Sequence, residues 1–131
     1  MKTVRVVNMS RGTLLADRVR VADTWAGRLR GLLGTPALAP GEGLLITPCQ
    51  AVHTFGMRYP VDVVYVARDG HVALVHCGME PGRRGPWVRA AAWVLELPAG
   101  TAEATVAAGD RLSLVPSDGC CAPFVRVNRS G

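Results

Sequence analysis

Apolar and polar residues alternate along most of the chain, in short segments separated by glycine, proline and aspartate. A period of two is typical of a β-strand with one buried face. Asp69-Gly70, between two such segments, is a strong signal for a hairpin turn. We expect strands at about residues 3–8, 13–21, 44–47, 49–54, 61–67, 71–77, 91–97, 111–115 and 124–127.

One segment changes period and predicts a short α-helix at about residues 23–34. Its apolar residues recur at i, i+4, i+7 and i+8 from Trp25, on one helix face. Asp23 or Thr24 can cap its first turn, and Gly34 suits its C-terminal end. About seven to nine short strands, one helix and no βαβ alternation predict a mainly β fold, a compact β-sandwich or barrel-like structure. The alternative is an α+β fold.

Composition is that of one globular domain over residues 1–131. The chain is 49% hydrophobic with a mean hydropathy of +0.20. A chain of this length and composition can form a hydrophobic core without disulfide bonds or metal ions to stabilise it. No segment approaches the roughly 20 apolar residues of a membrane span, and the N-terminus lacks a signal-peptide core. We therefore expect a soluble, cytoplasmic protein without membrane association.

The net charge of +5 comes almost entirely from arginine, since Lys2 is the only lysine. The one dense cluster is the arginine loop at 83–89, Arg-Arg-Gly-Pro-Trp-Val-Arg. Such a loop could bind phosphate or single-stranded nucleic acid. Because no nucleic-acid-binding fold signature accompanies it, we favour a solvated loop whose Trp87 packs into the domain. We expect no nucleic-acid partner.

The four cysteines, Cys49, Cys77, Cys120 and Cys121, have no Cys-x-x-Cys spacing. A zinc knuckle or a thioredoxin-type motif is therefore not indicated. In a reducing compartment they would remain thiols and pack as small hydrophobic residues. Binding of a soft metal is the weaker alternative, and we expect neither a metal nor a cofactor.

Ionisable side chains stand in unexpected places between residues 47 and 66 and again near residue 96. Alternation places His53, Asp62 and Glu96 each at the end of an apolar row of its strand. Side chains at strand ends reach the rim of a sheet, where ligand sites collect. We predict that the three share one site, with the bend at Tyr59-Pro60 bringing His53 and Asp62 together.

Each of the three also has a structural interpretation, because buried polar groups are usually satisfied by hydrogen bonds. His53 could donate to a backbone carbonyl, Asp62 could cap backbone amides, and Glu96 could hold an arginine. A metal site made of all three is a further alternative, although one histidine is little for such a site.

Three functions are compatible with these residues. The first is a ligand-binding β domain whose cleft takes a small anionic or polar ligand, with Arg58 as a bidentate donor. The second is a hydrolase- or lyase-like enzyme with Asp62 or Glu96 as general base and His53 as acid partner. The third is an accessory or interaction module that uses the arginine loop or an edge strand. The predicted ligand-binding residues are His53, Thr54, Met57, Arg58, Asp62 and Glu96.

Several segments also follow one another in an order typical of one family, and His-Thr-x-x-Met and Leu-Glu-Leu-Pro-x-Gly are the most specific of them. From about residue 5 to 115 the chain resembles the small bacterial and archaeal family named domain of unknown function 192. The resemblance implies a compact, mostly β domain with a short helix, and it brings no activity. The segments are 30–34, 43–46, 53–57, 60–66, 94–100 and 109–110.

Overall fold

The computed structural model describes residues 2–24, 27–28 and 37–117. Seven strands in these ranges form one sheet in the order β5-β4-β6-β3-β2-β1-β7. Neighbouring strands are antiparallel, except that β2 and β3 are parallel. The strands are β1 (Thr3–Asn8), β2 (Thr13–Ala22), β3 (Glu42–Ile46), β4 (Val61–Ala67), β5 (Val72–Met79), β6 (Ala91–Pro98) and β7 (Leu112–Pro116).

The sheet curls into a half-barrel whose two edge strands meet at one end. The amide of Leu112 donates to the Gly70 carbonyl at 2.8 Å, and the amide of Val72 donates to the Asp110 carbonyl at 2.8 Å. Backbone groups joined in this way are closed to pairing with another chain. The prediction of a mainly β, barrel-like fold is confirmed.

Alternation along the strands sorts the apolar residues into two clusters on the two sides of the sheet. In β4, Val64 and Val66 belong to an inner cluster, which also contains Val72 and Leu112 of the two edge strands and so fills the curl. Each fully buried valine contributes about 1.5 to 3 kcal/mol. The outer cluster lies on the opposite side and includes Leu44, Ile46, Val52, Val61, Val63, Tyr65, Met79 and Val94.

The segment predicted as a strand at 49–54 does not join the sheet. Residues 49–55 instead run antiparallel to residues 82–89, and we call this pair of segments the loop ribbon. The Val88 amide donates to Gln50 O at 2.8 Å, and the Gly85 amide donates to Val52 O at 2.9 Å. The pairing is irregular because Pro86, between these two bonds, has no N–H to donate. Extended backbone is thus present, but it covers the outer cluster rather than extending the sheet.

Trp87 lies on the surface with 70% of its area exposed, so the prediction that it packs into the domain is wrong. Its neighbour Val88 packs against the outer cluster. Alternation of successive side chains then turns Trp87 outward. The solvated character of the loop is confirmed, since Arg83, Arg84 and Arg89 are exposed.

The predicted helix at 23–34 lies mostly outside the described residues, as do the strand at 124–127, Cys120 and Cys121. The Gly27 amide donates to Thr24 Oγ1 at 3.0 Å, as expected of a helix N-cap. The hairpin turn at Asp69-Gly70 is confirmed, since the Gly70 amide donates to the Ala67 carbonyl at 2.9 Å. Within the described ranges no helix is long and apolar enough to cross a membrane.

Candidate functional site

Asp62 is wholly buried on the inner side of the half-barrel and receives backbone amides. Its Oδ1 accepts from Gly78 N at 2.7 Å, and its Oδ2 accepts from Gly100 N at 3.0 Å and Ala102 N at 2.8 Å. Such charge-assisted hydrogen bonds are stronger than neutral ones. The carboxylate therefore ties β4 to β5 and to the turn that follows β6.

Thr54 is also wholly buried and connects the two segments of the loop ribbon. Its Oγ1 donates to Glu80 O at 2.6 Å and accepts from Arg83 N at 2.8 Å. Its amide donates to Arg83 O at 2.8 Å, and its carbonyl accepts from Gly82 N at 2.9 Å. Thr54 thus fixes the first segment of the loop ribbon to residues 80–83.

His53 is exposed on the outer surface of the loop ribbon, where it pairs with Arg84 of the other segment. Its ring stacks on Phe55 with centroids 5.0 Å apart and planes at 25°. The amide of Phe55 donates to His53 Nδ1 at 3.3 Å. Arg58, five residues after His53, is also exposed, whereas Met57 packs against the outer cluster.

Glu96 projects from β6 into the outer cluster with only 3% of its area exposed. Its neighbours across the strands are Val63 of β4 and Leu44 of β3, and both belong to that cluster. Burial raises the pKa of Glu96 to about 7, because a low-dielectric surrounding disfavours the charged form. The side chain therefore changes charge close to neutral pH.

Three further polar side chains lie within electrostatic reach of Glu96. The pKa of Tyr65 is raised to about 12, mainly by burial and then by the Cys49 and Glu96 charges. Burial and then the Glu96 charge raise the pKa of Tyr59, and burial is the main cause of the raised pKa of the Cys49 thiol. The hydroxyls of Tyr59 and Tyr65 are buried without a hydrogen-bond partner among the described residues. We call these four residues the Glu96 cluster.

The six predicted site residues therefore occupy three places. Asp62 faces the inner side, Glu96 and Met57 belong to the outer side, and His53, Thr54 and Arg58 lie in the loop ribbon or just after its first segment. Asp62 lies opposite Leu97 in the pairing of β4 with β6, and Glu96 lies opposite Val63. Because adjacent positions point to opposite faces, this register separates the two carboxyl groups. Whether any of the six residues binds a ligand stays a prediction.

Sequence reasoning missed Tyr59, Tyr65 and Cys49 as members of a site. Tyr65 follows Val61 and Val63 in one alternating row, so its hydroxyl in a buried strand was a usable signal. Tyr59 and Cys49 belong to the segment between β3 and β4, whose path alternation does not determine. Within the described ranges, no three histidine, cysteine or acidic side chains are placed to hold a metal ion.

Two solved structures resemble the chain over most of its length. A protein of unknown function from Novosphingobium aromaticivorans DSM 12444 has a TM-score of 0.73 and 23% identity, over 84% of this chain and 82% of that one. A Sinorhizobium meliloti 1021 protein described as a "putative transcription regulator" has a TM-score of 0.69 and 26% identity, over 86% and 92%. The first likeness shows a shared fold alone.

No curated protein matches the chain. One family model, domain of unknown function 192 with the description "Uncharacterized ACR", matches residues 6–114. That range contains the half-barrel from β1 to β7 apart from a few terminal residues, and it confirms the resemblance found in the sequence. The chain belongs to the domain of unknown function 192 family.

Proposed function

We propose that the protein binds a small polar ligand at the Glu96 cluster. One observation carries the proposal: a buried carboxyl group with a pKa of about 7 lies near two buried tyrosine hydroxyls that have no partner among the described residues. An unpaired buried hydroxyl costs on the order of 1 to 3 kcal/mol, and buried polar groups are normally paired. A ligand with hydroxyl, amide or amine groups would supply the missing partners.

The surroundings of the cluster favour a neutral or cationic ligand. Its neighbours Leu44, Val63 and Val52 are apolar, which suits a ligand with an apolar body and one or two polar atoms. An anion near Glu96 would repel the charged form of its carboxyl group, which burial already disfavours. The anionic ligand expected for Arg58 therefore does not suit this cluster, and Arg58 is exposed at the surface whereas Glu96 is buried.

The test is a ligand screen by NMR chemical-shift perturbation, with neutral polyols, amides, amines and carboxylates as probes. We expect neutral or cationic probes to shift the Tyr59 and Tyr65 ring signals. Tyr65→Phe should weaken binding by about 2- to 12-fold, the value of one hydrogen bond. The same variant should stabilise the free protein by on the order of 1 kcal/mol, because it removes an unpaired hydroxyl.

Glu103→Gln, at an exposed acid, is the control and should leave both quantities unchanged. The proposal is wrong if no neutral or cationic probe moves these signals. It is also wrong if Tyr65→Phe and Glu96→Gln bind the probes as tightly as the unaltered protein.

A second candidate is acid–base catalysis by Glu96 without His53 or Asp62, favoured by a carboxyl pKa of about 7. A hydrolase- or lyase-like activity of this kind should show a pH–rate profile with an inflection near 7, absent from Glu96→Gln. Chromogenic ester, phosphate and glycoside substrates provide the assay. Activity that Glu96→Gln retains at every pH would contradict this role.

A further inference from the structure

Two large aromatic side chains are exposed on the loop ribbon. In the described part of the chain, Phe55 and Trp87 are two of four large hydrophobic side chains that are substantially exposed, at 46% and 70%. Phe55 stacks with His53, so the ribbon presents both a stacked pair and a free indole. Scattered single hydrophobic residues are ordinary on a surface, whereas aromatic rings gathered on one loop pair indicate a contact surface.

Positive charge accompanies these rings. Residues 49–59 and 80–89 contain four arginines and one acid, Glu80, a net charge of +3 out of +5 for the whole chain. Arg58, Arg83, Arg84 and Arg89 are all exposed. None of the four forms an ion pair with another described residue. Their guanidinium groups are thus available to an anionic partner.

The backbone of the ribbon holds these groups in order. Arg84 lies opposite His53, and Gly85 and Val88 take the inward positions, against Tyr65 and the outer cluster. Arg84 and Trp87, which precede these two inward positions, are both exposed on either side of the irregularity at Pro86. Gln50 Nε2 donates to Arg89 O, and Thr54 Oγ1 accepts from Arg83 N. These bonds fix the two segments to each other, so the surface is formed before a partner binds.

We propose that this surface binds single-stranded nucleic acid, with bases stacking on Trp87 and the His53–Phe55 pair and with arginines contacting phosphates. Aromatic faces interleaved with arginines bind single strands because every base has a face that stacks and every phosphate carries charge. An acidic peptide would use the arginines and leave the rings exposed. The expectation of no nucleic-acid partner rests on the lack of a nucleic-acid-binding fold signature in the sequence, whereas the proposal rests on the exposed rings and arginines, Trp87 above all.

The test is fluorescence anisotropy with a labelled thymidine oligonucleotide of about 12 nucleotides, within the usual range of single-strand sites. Binding should weaken as salt rises, and Arg84→Gln should lower the slope of log K against log salt by about 0.7. Trp87→Ala should weaken binding by roughly 5- to 160-fold, the value of one stacked base. Arg5→Gln and Leu14→Ala, at exposed sites on β1 and β2, should change neither quantity.

An abasic oligomer of the same length separates stacking from charge. If it binds as tightly as the thymidine strand, or if Trp87→Ala has no effect, the proposal is overturned. Equal binding of polyglutamate or of phosphatidylglycerol vesicles would likewise overturn it, by assigning the surface to a peptide or a membrane. Glu96→Gln should leave oligonucleotide binding intact, so this test is independent of the ligand proposed for the Glu96 cluster.

Discussion

At the scale of single residues, Asp62 and Glu96 are buried carboxyl groups on adjacent strands with different surroundings. Asp62 accepts hydrogen bonds from three backbone amides. Glu96 lies between Val63 and Leu44 of the neighbouring strands. A carboxylate with several amide donors is stabilised, whereas one among apolar side chains is disfavoured in its charged form. The fold therefore uses Asp62 as a hydrogen-bond acceptor for three amides, and it is opposed by the charge of Glu96.

Asp62→Asn should destabilise the protein by about 2 to 4 kcal/mol. The amide side chain keeps one acceptor oxygen, so its NH₂ group faces a backbone amide and leaves that amide unpaired. Urea unfolding measures the loss, and Glu103→Gln serves as the control because this acid is exposed. A loss below about 0.5 kcal/mol, the range of ordinary surface changes, would contradict the role of Asp62.

Glu96 should make stability fall as pH rises. Its pKa is raised from 4.5 to about 7 on folding, so the folded state holds the proton more tightly than the unfolded state. The resulting stabilisation is complete below pH 4.5 and is lost as pH rises to about 7, a change on the order of 3 kcal/mol. Urea unfolding at several pH values between 5 and 8 measures this loss. Glu96→Gln should remove most of the dependence of the unfolding free energy on pH. If this variant keeps the same dependence, Glu96 is not its cause.

At the scale of elements, the loop ribbon depends on one hydroxyl group. Thr54→Val keeps the shape of the side chain and removes the bonds to Glu80 O and Arg83 N. We expect a loss of about 1 to 3 kcal/mol and faster hydrogen exchange at the Gly82 and Arg83 amides. Thr54→Ser keeps the hydroxyl and should stay close to the unaltered protein. If the serine variant loses as much as the valine variant, the hydroxyl is not the cause.

Most strands could be predicted because alternation reports which backbone is extended and has one buried face. The same signal at residues 49–54 identified extended backbone correctly, yet it contains no information about the partner strand. Glu96 could be singled out as a charge in an apolar row. The separation of Glu96 from Asp62 could not be predicted from the sequence. It depends on the register of β4 against β6, and a shift of one residue would exchange the faces of one strand.

At the scale of the whole molecule, the closure of the half-barrel depends on Gly70. Its φ is +96°, and a Cβ at this position would lie 2.7 Å from the Leu112 carbonyl oxygen. Gly70→Ala should therefore destabilise the protein through both backbone strain and displacement of Leu112. Gly100→Ala is the matched control, since φ is +95° there and a Cβ would have no neighbour within 4 Å.

The strain common to both variants costs about 1 to 2 kcal/mol. Gly70→Ala should exceed that value and should speed hydrogen exchange at the Leu112 and Val72 amides. Urea unfolding and amide exchange of the two variants give the comparison. Equal losses in the two variants, with protected Leu112 and Val72 amides, would show that the closure does not depend on this glycine.

The pairing of β1 with β7 joins the first strand of the chain to the last described one. During synthesis, β1 and β2 are made long before residues 112–116, so one edge of β1 stays unpaired until β7 has been made. An open edge is a template for pairing with another nascent chain. A chain that is interrupted before β7 would therefore keep this edge of β1 open and be prone to aggregate.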